Sequence, residues 1–163
     1  MVRNAKRLNG PLSGSHVATV DYGVLDDLVG YAVRRAQLRV TEAFDSAFAE
    51  TGLTTQRFSA LVFITRNPGM KQSELAHLMR ASAPQISLVL DALIRLRLAE
   101  RRAVASDRRS HALYASAEGL ARLESLERLA REHDQRVTAG LDATERRQLR
   151  ALLNKVGPNP VST

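Results

Sequence analysis

The chain has 163 residues, enough for one domain with a hydrophobic core or for one subunit of a small oligomer. Twenty-four Lys and Arg against 17 Asp and Glu give a formal net charge of +7. This excess favours a polyanionic partner such as nucleic acid, although a basic solvated surface would give the same total. The absence of cysteine excludes disulfides, thiolate nucleophiles, thiolate metal ligands and a thiol-oxidation sensor.

The first predicted element is a flexible arm over residues 1–20, where Gly, Pro and Ser are frequent and large apolar residues are few. A long scaffold helix follows, from about Tyr22 to Glu50 within a segment 21–52, and Gly52 ends it. Apolar residues recur along this helix at helical spacing. They are Leu25, Leu28, Val29, Ala32, Ala36, Val40, Ala43 and Ala47.

The next segment is predicted to form a helix-turn-helix. A helix starts near Thr55 with Thr54 as its cap, and Asn67-Pro68-Gly69 breaks it. Two short amphipathic helices over residues 72–79 and 83–96 are then separated by only three residues, which is typical of this motif. The second one opens with a capping box, because Ser82 is followed three residues later by Gln85.

A β-hairpin with a charged tip is predicted next. Residues 99–104 lead into the tip, and residues 110–115 return with alternating polar and apolar side chains. Ser116 then caps a helix over about 117–139, and a last helix opens at Asp142 and carries apolar residues as far as Val156. Residues 157–163 are predicted to be a flexible tail.

The predicted fold class is therefore mainly α with a small β-wing, a winged helix-turn-helix with long flanking dimerisation helices. Residues 53–116 form the DNA-binding lobe and residues 117–156 the C-terminal dimerisation helices. The apolar stripes of the first and last helices exceed what so small a lobe can cover, which predicts a two-fold homodimer. Such a dimer would set two recognition helices about 10 base pairs apart.

Several short segments carry a resemblance to a known family. These are Gln72-Ser73-Glu74-Leu75-Ala76, Asp91, Asp107-Arg108-Arg109 and Ala117-Glu118-Gly119-Leu120. With the order of elements, they resemble the MarR family of winged-helix transcription factors over about residues 22–156. The resemblance implies a homodimeric regulator of pseudo-palindromic operators, and in many members a repressor released by a small aromatic ligand.

The chain departs from the family pattern at three positions. Lys71 stands where a capping Thr or Ser is usual, and its ammonium group cannot accept a hydrogen bond from a helix N–H. Leu88 and Ala92 stand where many members carry Arg, which lowers the positive charge of the recognition helix. An operator sequence therefore cannot be transferred from relatives to this chain.

Candidate DNA-binding residues lie on two elements. Arg109 is predicted to enter a minor groove, and Asp107 two residues earlier can hold its guanidinium group, although both residues would also stabilise a hairpin. Gln85 suits an adenine edge or, equally, its own capping box. The complete candidate set is Lys71, Gln72, Ser73, Ser82, Ala83, Pro84, Gln85, Ser87, Leu88, Asp107, Arg108 and Arg109.

A ligand site is predicted where the resemblance places it, between the first, second and fifth helices. Tyr31 and Arg35 share one face of the first helix and suit an aromatic ring and a carboxylate. Arg39, Phe58 and Val62 complete the candidate set, although Arg39 would equally suit a surface ion pair with Glu42.

Other classes of site find no support in the sequence. His16, His77, His111 and His133 lack the spacing of metal ligands, and no nucleophile with a base or Gly-rich phosphate loop is present, so neither an enzyme nor a cofactor is expected. The polar N-terminus and the lack of a long apolar run predict a cytoplasmic protein without a membrane span. The alternative function is a ligand-independent winged-helix or architectural DNA-binding protein.

Overall fold

The structure, a computed structural model, describes the backbone of residues 20–104 and 107–157. It describes the side chains of these residues except for 104 and 107–110. The predicted flexible arm, most of the predicted tail and the tip at 105–106 therefore lie outside the described residues. The chain divides into two compact units, Met1–Arg35 and Ala36–Thr163.

Six α-helices and three strands are present in the described ranges. The helices are α1 (Val29–Phe48), α2 (Thr55–Arg66), α3 (Gln72–Leu78), α4 (Ala83–Arg95), α5 (Ala117–Val137) and α6 (Ala143–Leu153). The strands are β1 (Met70–Lys71), β2 (Ala99–Val104) and β3 (Asp107–Ala115). This order of elements confirms the predicted fold class, mainly α with a small β-wing. None of the described helices has the length and apolarity needed to span a bilayer.

The prediction of one helix from Tyr22 to Glu50 is wrong at its start. A short 3₁₀ turn occupies Gly23–Asp27, and Leu28 is extended with ψ 116° before α1 begins. Gly23 has φ +51° and Asp21 accepts its N–H at 2.8 Å, so the local turn replaces the first helical turns. At the other end, Gly52 adopts φ +71° and terminates the segment as predicted.

The sheet has three strands in the order β1-β3-β2, so the prediction of a simple hairpin is incomplete. Met70 pairs with Leu113 and Lys71 with Ala112, which places β1 antiparallel to β3. The strand β3 starts at Asp107 rather than at Ser110, because Val104 and Asp107 pair after a register shift in β2. The backbone of residues 107–109 is therefore strand, whereas the sequence predicts a loop at these positions.

One hydrophobic core lies in the second unit, beneath the helix-turn-helix and the sheet. Its fully buried large side chains come from five elements and one connection. They are Phe48, Leu61, Ile64, Leu75, Ile86, Leu90, Leu93, Leu98 and Leu113. In α1 the buried residues are Phe44 and Phe48, which the alanine-rich stripe predicted from the sequence did not include.

Gly119 allows α5 to pack directly against the segment that joins α4 to β2. A Cβ atom at this position would lie 2.0 Å from the carbonyl oxygen of Leu98. Ser116 reinforces the same junction, because its N–H donates to Leu98 O at 3.1 Å and its hydroxyl donates to the Arg97 carbonyl. At the Glu-Gly start of α5, the backbone of Gly119 therefore lies so close to the backbone of Leu98 that only glycine fits.

Candidate nucleic-acid interface

The helix-turn-helix presents the N-terminal half of α4 to solvent. Ser82 caps α4, and this residue and the first three residues of the helix, as far as Gln85, are exposed. Ile86, Val89 and Leu90 are buried against the core. The turn that precedes α4 contains Arg80 at φ +48°, a left-handed conformation that is uncommon for a residue other than glycine. This turn sets the direction in which α4 leaves α3, and with it the face of α4 that points outward.

The capping interactions at α4 decide how the Gln85 side chain is used in the free protein. Gln85 Oε1 accepts from the Ser82 N–H at 2.9 Å and from the Ser82 hydroxyl at 3.0 Å. The predicted capping box is confirmed. Of the two roles considered for Gln85, the capping role is the one that the side chain takes here.

The cap of α3 is incomplete, as the lysine at its N-cap implies. Glu74 Oε2 accepts from the Lys71 N–H at 2.8 Å, but the Lys71 ammonium group has no lone pair with which to accept a helix N–H. The ammonium group is exposed, and Ser73 is exposed beside it in the first turn. This end of α3 therefore combines free N–H donors with a nearby positive charge.

Two of the candidate DNA-binding residues join α3 to α4. Gln72 Nε2 donates to the Ser87 hydroxyl at 2.8 Å, and both side chains are half-buried. This bond fixes the two helices of the motif at their exposed edge. Ala83, Pro84 and Leu88 complete the exposed surface, and 71% of Leu88 is accessible to solvent.

The base of the wing is tied to α4 by an ion pair that the sequence did not predict. Arg101 on β2 donates to Asp91 on α4 at 3.0 Å. Next to it, Arg102 binds Glu100 and lies over the ring of Tyr114, 4.2 Å from its centroid. Arg101 and Arg102 therefore both have partners within the protein.

The tip of the wing carries the remaining candidates. Asp107, Arg108 and Arg109 occupy the first three positions of β3. Their side chains lie outside the described residues, so the proposed Asp107–Arg109 pair remains a prediction.

The candidate ligand residues fall into the two separate units. In the first unit the Arg35 guanidinium lies 5.1 Å from the Tyr22 ring centroid and 5.9 Å from that of Tyr31, and 3.9 Å from an Asp26 carboxylate oxygen. In the second unit Arg39 is exposed and Phe58 and Val62 are half-buried. The assembly of all five residues into one site remains a prediction.

A buried histidine that the sequence did not single out lies in the second unit. His133 on α5 is 6% exposed and meets the Phe44 ring edge-on, with centroids 5.3 Å apart. Burial lowers the pKa of His133 below its ordinary value, Arg136 lowers it further, and Asp134 partly opposes the shift. Folding therefore favours the neutral imidazole.

Comparison with known proteins agrees with this geometry. The model of the MarR family matches residues 51–110, which include α2, α3, α4, β2 and the start of β3. A transcriptional repressor, CouR, solved on a 23-mer DNA duplex, is 38% identical with a TM-score of 0.78, covering 83% of this chain and 96% of that one. The chain belongs to the MarR family.

A second structure of CouR and one further relative extend the comparison for this MarR-family regulator. CouR solved with p-coumaroyl-CoA is 35% identical with a TM-score of 0.75, covering 82% of this chain and 94% of that one. An HTH-type transcriptional repressor of Mycobacterium bovis is 29% identical over 136 residues, which are 83% of this chain and 98% of the relative. These relatives are transcriptional regulators and not enzymes, and their matches extend well beyond the winged lobe.

Proposed function

We propose that the chain is a cytoplasmic, homodimeric transcriptional repressor that binds a pseudo-palindromic operator and is released by a small aromatic ligand. The observation that carries the DNA-binding part is the exposed N-terminal half of α4, held in a winged helix-turn-helix by the core and by the Asp91–Arg101 pair. The relative solved on a DNA duplex, at 38% identity, supports the same role. In this proposal α4 enters the major groove, and the wing with Arg109 reaches an adjacent minor groove.

Selection from a pool of randomised duplexes tests the DNA-binding part. The full chain should enrich two inverted half-sites whose centres lie about 10 base pairs apart. Fluorescence anisotropy on the enriched duplex should then show an affinity that falls steeply with salt, since each phosphate contact releases roughly 0.9 counterions. Failure to enrich any sequence, or a flat salt dependence, would contradict the proposal.

The dimer part is supported by apolar side chains that the second unit leaves exposed. On α6 and just after it, Leu149, Leu152, Leu153 and Val156 follow one another at helical spacing and are 41–58% exposed. Light scattering should give twice the chain mass of 17.9 kDa. Leu152→Glu should lower that mass toward a single chain, whereas Arg147→Glu, on the same helix at an exposed polar position, should leave it unchanged.

The ligand part rests on Arg35 and its aromatic neighbours. An exposed guanidinium group above two tyrosine rings suits a ligand that combines an anionic group with an aromatic ring. A relative at 35% identity is solved with p-coumaroyl-CoA, so we propose an aromatic acid or its coenzyme A thioester as the ligand.

Calorimetric titration with p-coumaroyl-CoA and with free p-coumarate tests this part. Binding by the wild type, loss of binding in Arg35→Leu, and release of the duplex on addition of the same compound are the expected results. If neither the acid nor the thioester binds while the duplex does, the alternative of a ligand-independent DNA-binding protein is favoured.

A further inference from the structure

The outward face of α4 consists of a short apolar stretch followed by charged residues. Pro84, Leu88, Asp91 and Arg95 follow one another at intervals of four, three and four residues, which places them on one side of a helix. Pro84 and Leu88 are exposed and form the apolar part. The value of 71% for Leu88 is the highest among the large apolar side chains of the described residues.

A single exposed leucine is ordinary on a protein surface, so a role for Leu88 has to be argued from the side chains around it. Each polar side chain around Leu88 that suits base recognition already has a partner within the protein. The Gln85 oxygen accepts two bonds from Ser82, the Ser87 hydroxyl accepts from Gln72, and the Asp91 carboxylate accepts from Arg101.

These bonds remove the usual means of reading an adenine through glutamine. Such a contact needs the amide oxygen to accept from adenine N6 while the amide nitrogen donates to N7. In the free protein the oxygen of Gln85 faces its own helix cap instead, and its release would leave the Ser82 N–H without an acceptor. Apart from Arg95 at the C-terminal end of α4, the outward groups left on this helix are apolar.

We propose that α4 identifies thymine in its half-site by the C5-methyl group, through Leu88 with Pro84 beside it. Thymine is the base that presents a methyl group in the major groove, and apolar side chains recognise it by contact. The occupant is duplex DNA because exposed cations flank this face, with Arg80 before α4 and Arg95 at its end. This inference rests on the proposed function and specifies what the recognition helix reads.

The test replaces thymine by deoxyuridine, which deletes the methyl group and keeps every hydrogen-bonding atom. The probe is the duplex enriched from the randomised pool, resynthesised with deoxyuridine at one symmetric pair of positions at a time. At the pair beneath Leu88 the wild type should lose about fourfold in affinity per methyl group, or about fifteenfold for both half-sites. Other pairs should show little change.

Variants at position 88 assign the effect to its side chain. Leu88→Ala should bind the thymine and deoxyuridine duplexes equally, and Leu88→Met, which keeps the apolar contact, should retain the preference for thymine. Leu120→Ala is the matched control, because Leu120 is 56% exposed on α5 and the same atoms are removed. It should keep the wild-type preference.

Each contrary outcome has a distinct meaning. Equal affinity of the wild type for both duplexes at all positions, or an unchanged preference in Leu88→Ala, overturns the methyl readout and leaves DNA binding standing. A change in oligomeric mass in Leu88→Ala, measured by light scattering, assigns this face to a second copy of the chain and also overturns it. Failure to enrich any duplex removes the proposed function and this inference together.

Discussion

Gly119→Ala tests whether the contact between α5 and the segment after α4 holds the winged lobe together. The added Cβ would lie 2.0 Å from Leu98 O and 2.9 Å from Leu98 C, about 1 Å closer to the oxygen than such atoms tolerate. Both neighbours are backbone atoms, so no side chain can rotate away, and α5 itself must shift.

The cost of that shift follows from what the junction contains. Overpacking of this kind costs about 1–3 kcal/mol. Movement of α5 also stretches the Ser116 N–H bond to Leu98 O and the Gly119 N–H bond to the Ser116 hydroxyl, which are worth about 1 kcal/mol each. We therefore expect a loss of about 2–5 kcal/mol in the free energy of unfolding, or a fall in Tm of roughly 5–15 °C for a chain of this length.

Thermal and urea denaturation followed by circular dichroism measure this loss. Gly30→Ala is the matched control, because Gly30 is also helical but nothing lies within 4 Å of its added Cβ. Its stability should stay equal or rise by up to about 1 kcal/mol, since alanine is the better helix former. A Tm for Gly119→Ala within about 1 °C of the wild type would refute the close-contact argument.

Three further predictions concern other parts of the molecule. Arg97 adopts φ +56°, so Arg97→Gly should raise the free energy of unfolding by up to about 1 kcal/mol. Arg95→Gly, within α4, should lower it by about 1 kcal/mol. A loss of stability in both variants, measured by urea denaturation, would argue against strain at Arg97. The lowered pKa of His133 means that its stabilising contribution is present above about pH 6.5 and is lost as the pH falls from there toward its folded pKa. Urea midpoints should therefore fall between pH 7.5 and pH 5.5 by less in His133→Phe than in the wild type, and equal falls would exclude this source. Arg109→Ala should weaken binding to the enriched duplex by about 1–3 kcal/mol in fluorescence anisotropy, and an unchanged affinity would remove Arg109 from the interface.

The features that were predictable from sequence are those encoded within a few residues. Thr54, Ser82, Ser116 and Asp142 all cap helices as predicted, because a cap requires only a short polar side chain near the first N–H groups. Gly52 ends the first helical segment for an equally local reason, its left-handed backbone.

The features that escaped prediction depend on residues far apart in the chain. The strand β1 has only two residues, too few to show an alternating pattern in the sequence. It forms because Met70 pairs with Leu113 of β3. The Asp91–Arg101 pair forms only once β2 is placed beside α4. In the sequence Gly119 is part of a family pattern, but the reason for a glycine there, the nearby Leu98 carbonyl, is visible only in the packed structure.

The candidate interface divides in the same way. The position of α4 and its exposed start followed from the helical period and the capping box. The hydrogen bonds made by its polar side chains could not be predicted in this way. Gln72 and Ser87, for example, are fifteen residues apart and meet only because of the angle between α3 and α4. The function of the predicted wing residues depends on the DNA itself and therefore stays a prediction.

Lys71 is at once the final residue of β1 and the N-cap of α3, with no spacer between strand and helix. Because β1 is hydrogen-bonded to β3 and no loop separates β1 from α3, a tilt of the hairpin would also tilt the start of α3. We therefore expect the hairpin and the two-helix motif to move together rather than independently. A single residue inserted after Lys71 would uncouple them, so this joint is expected to tolerate substitutions far better than changes in length.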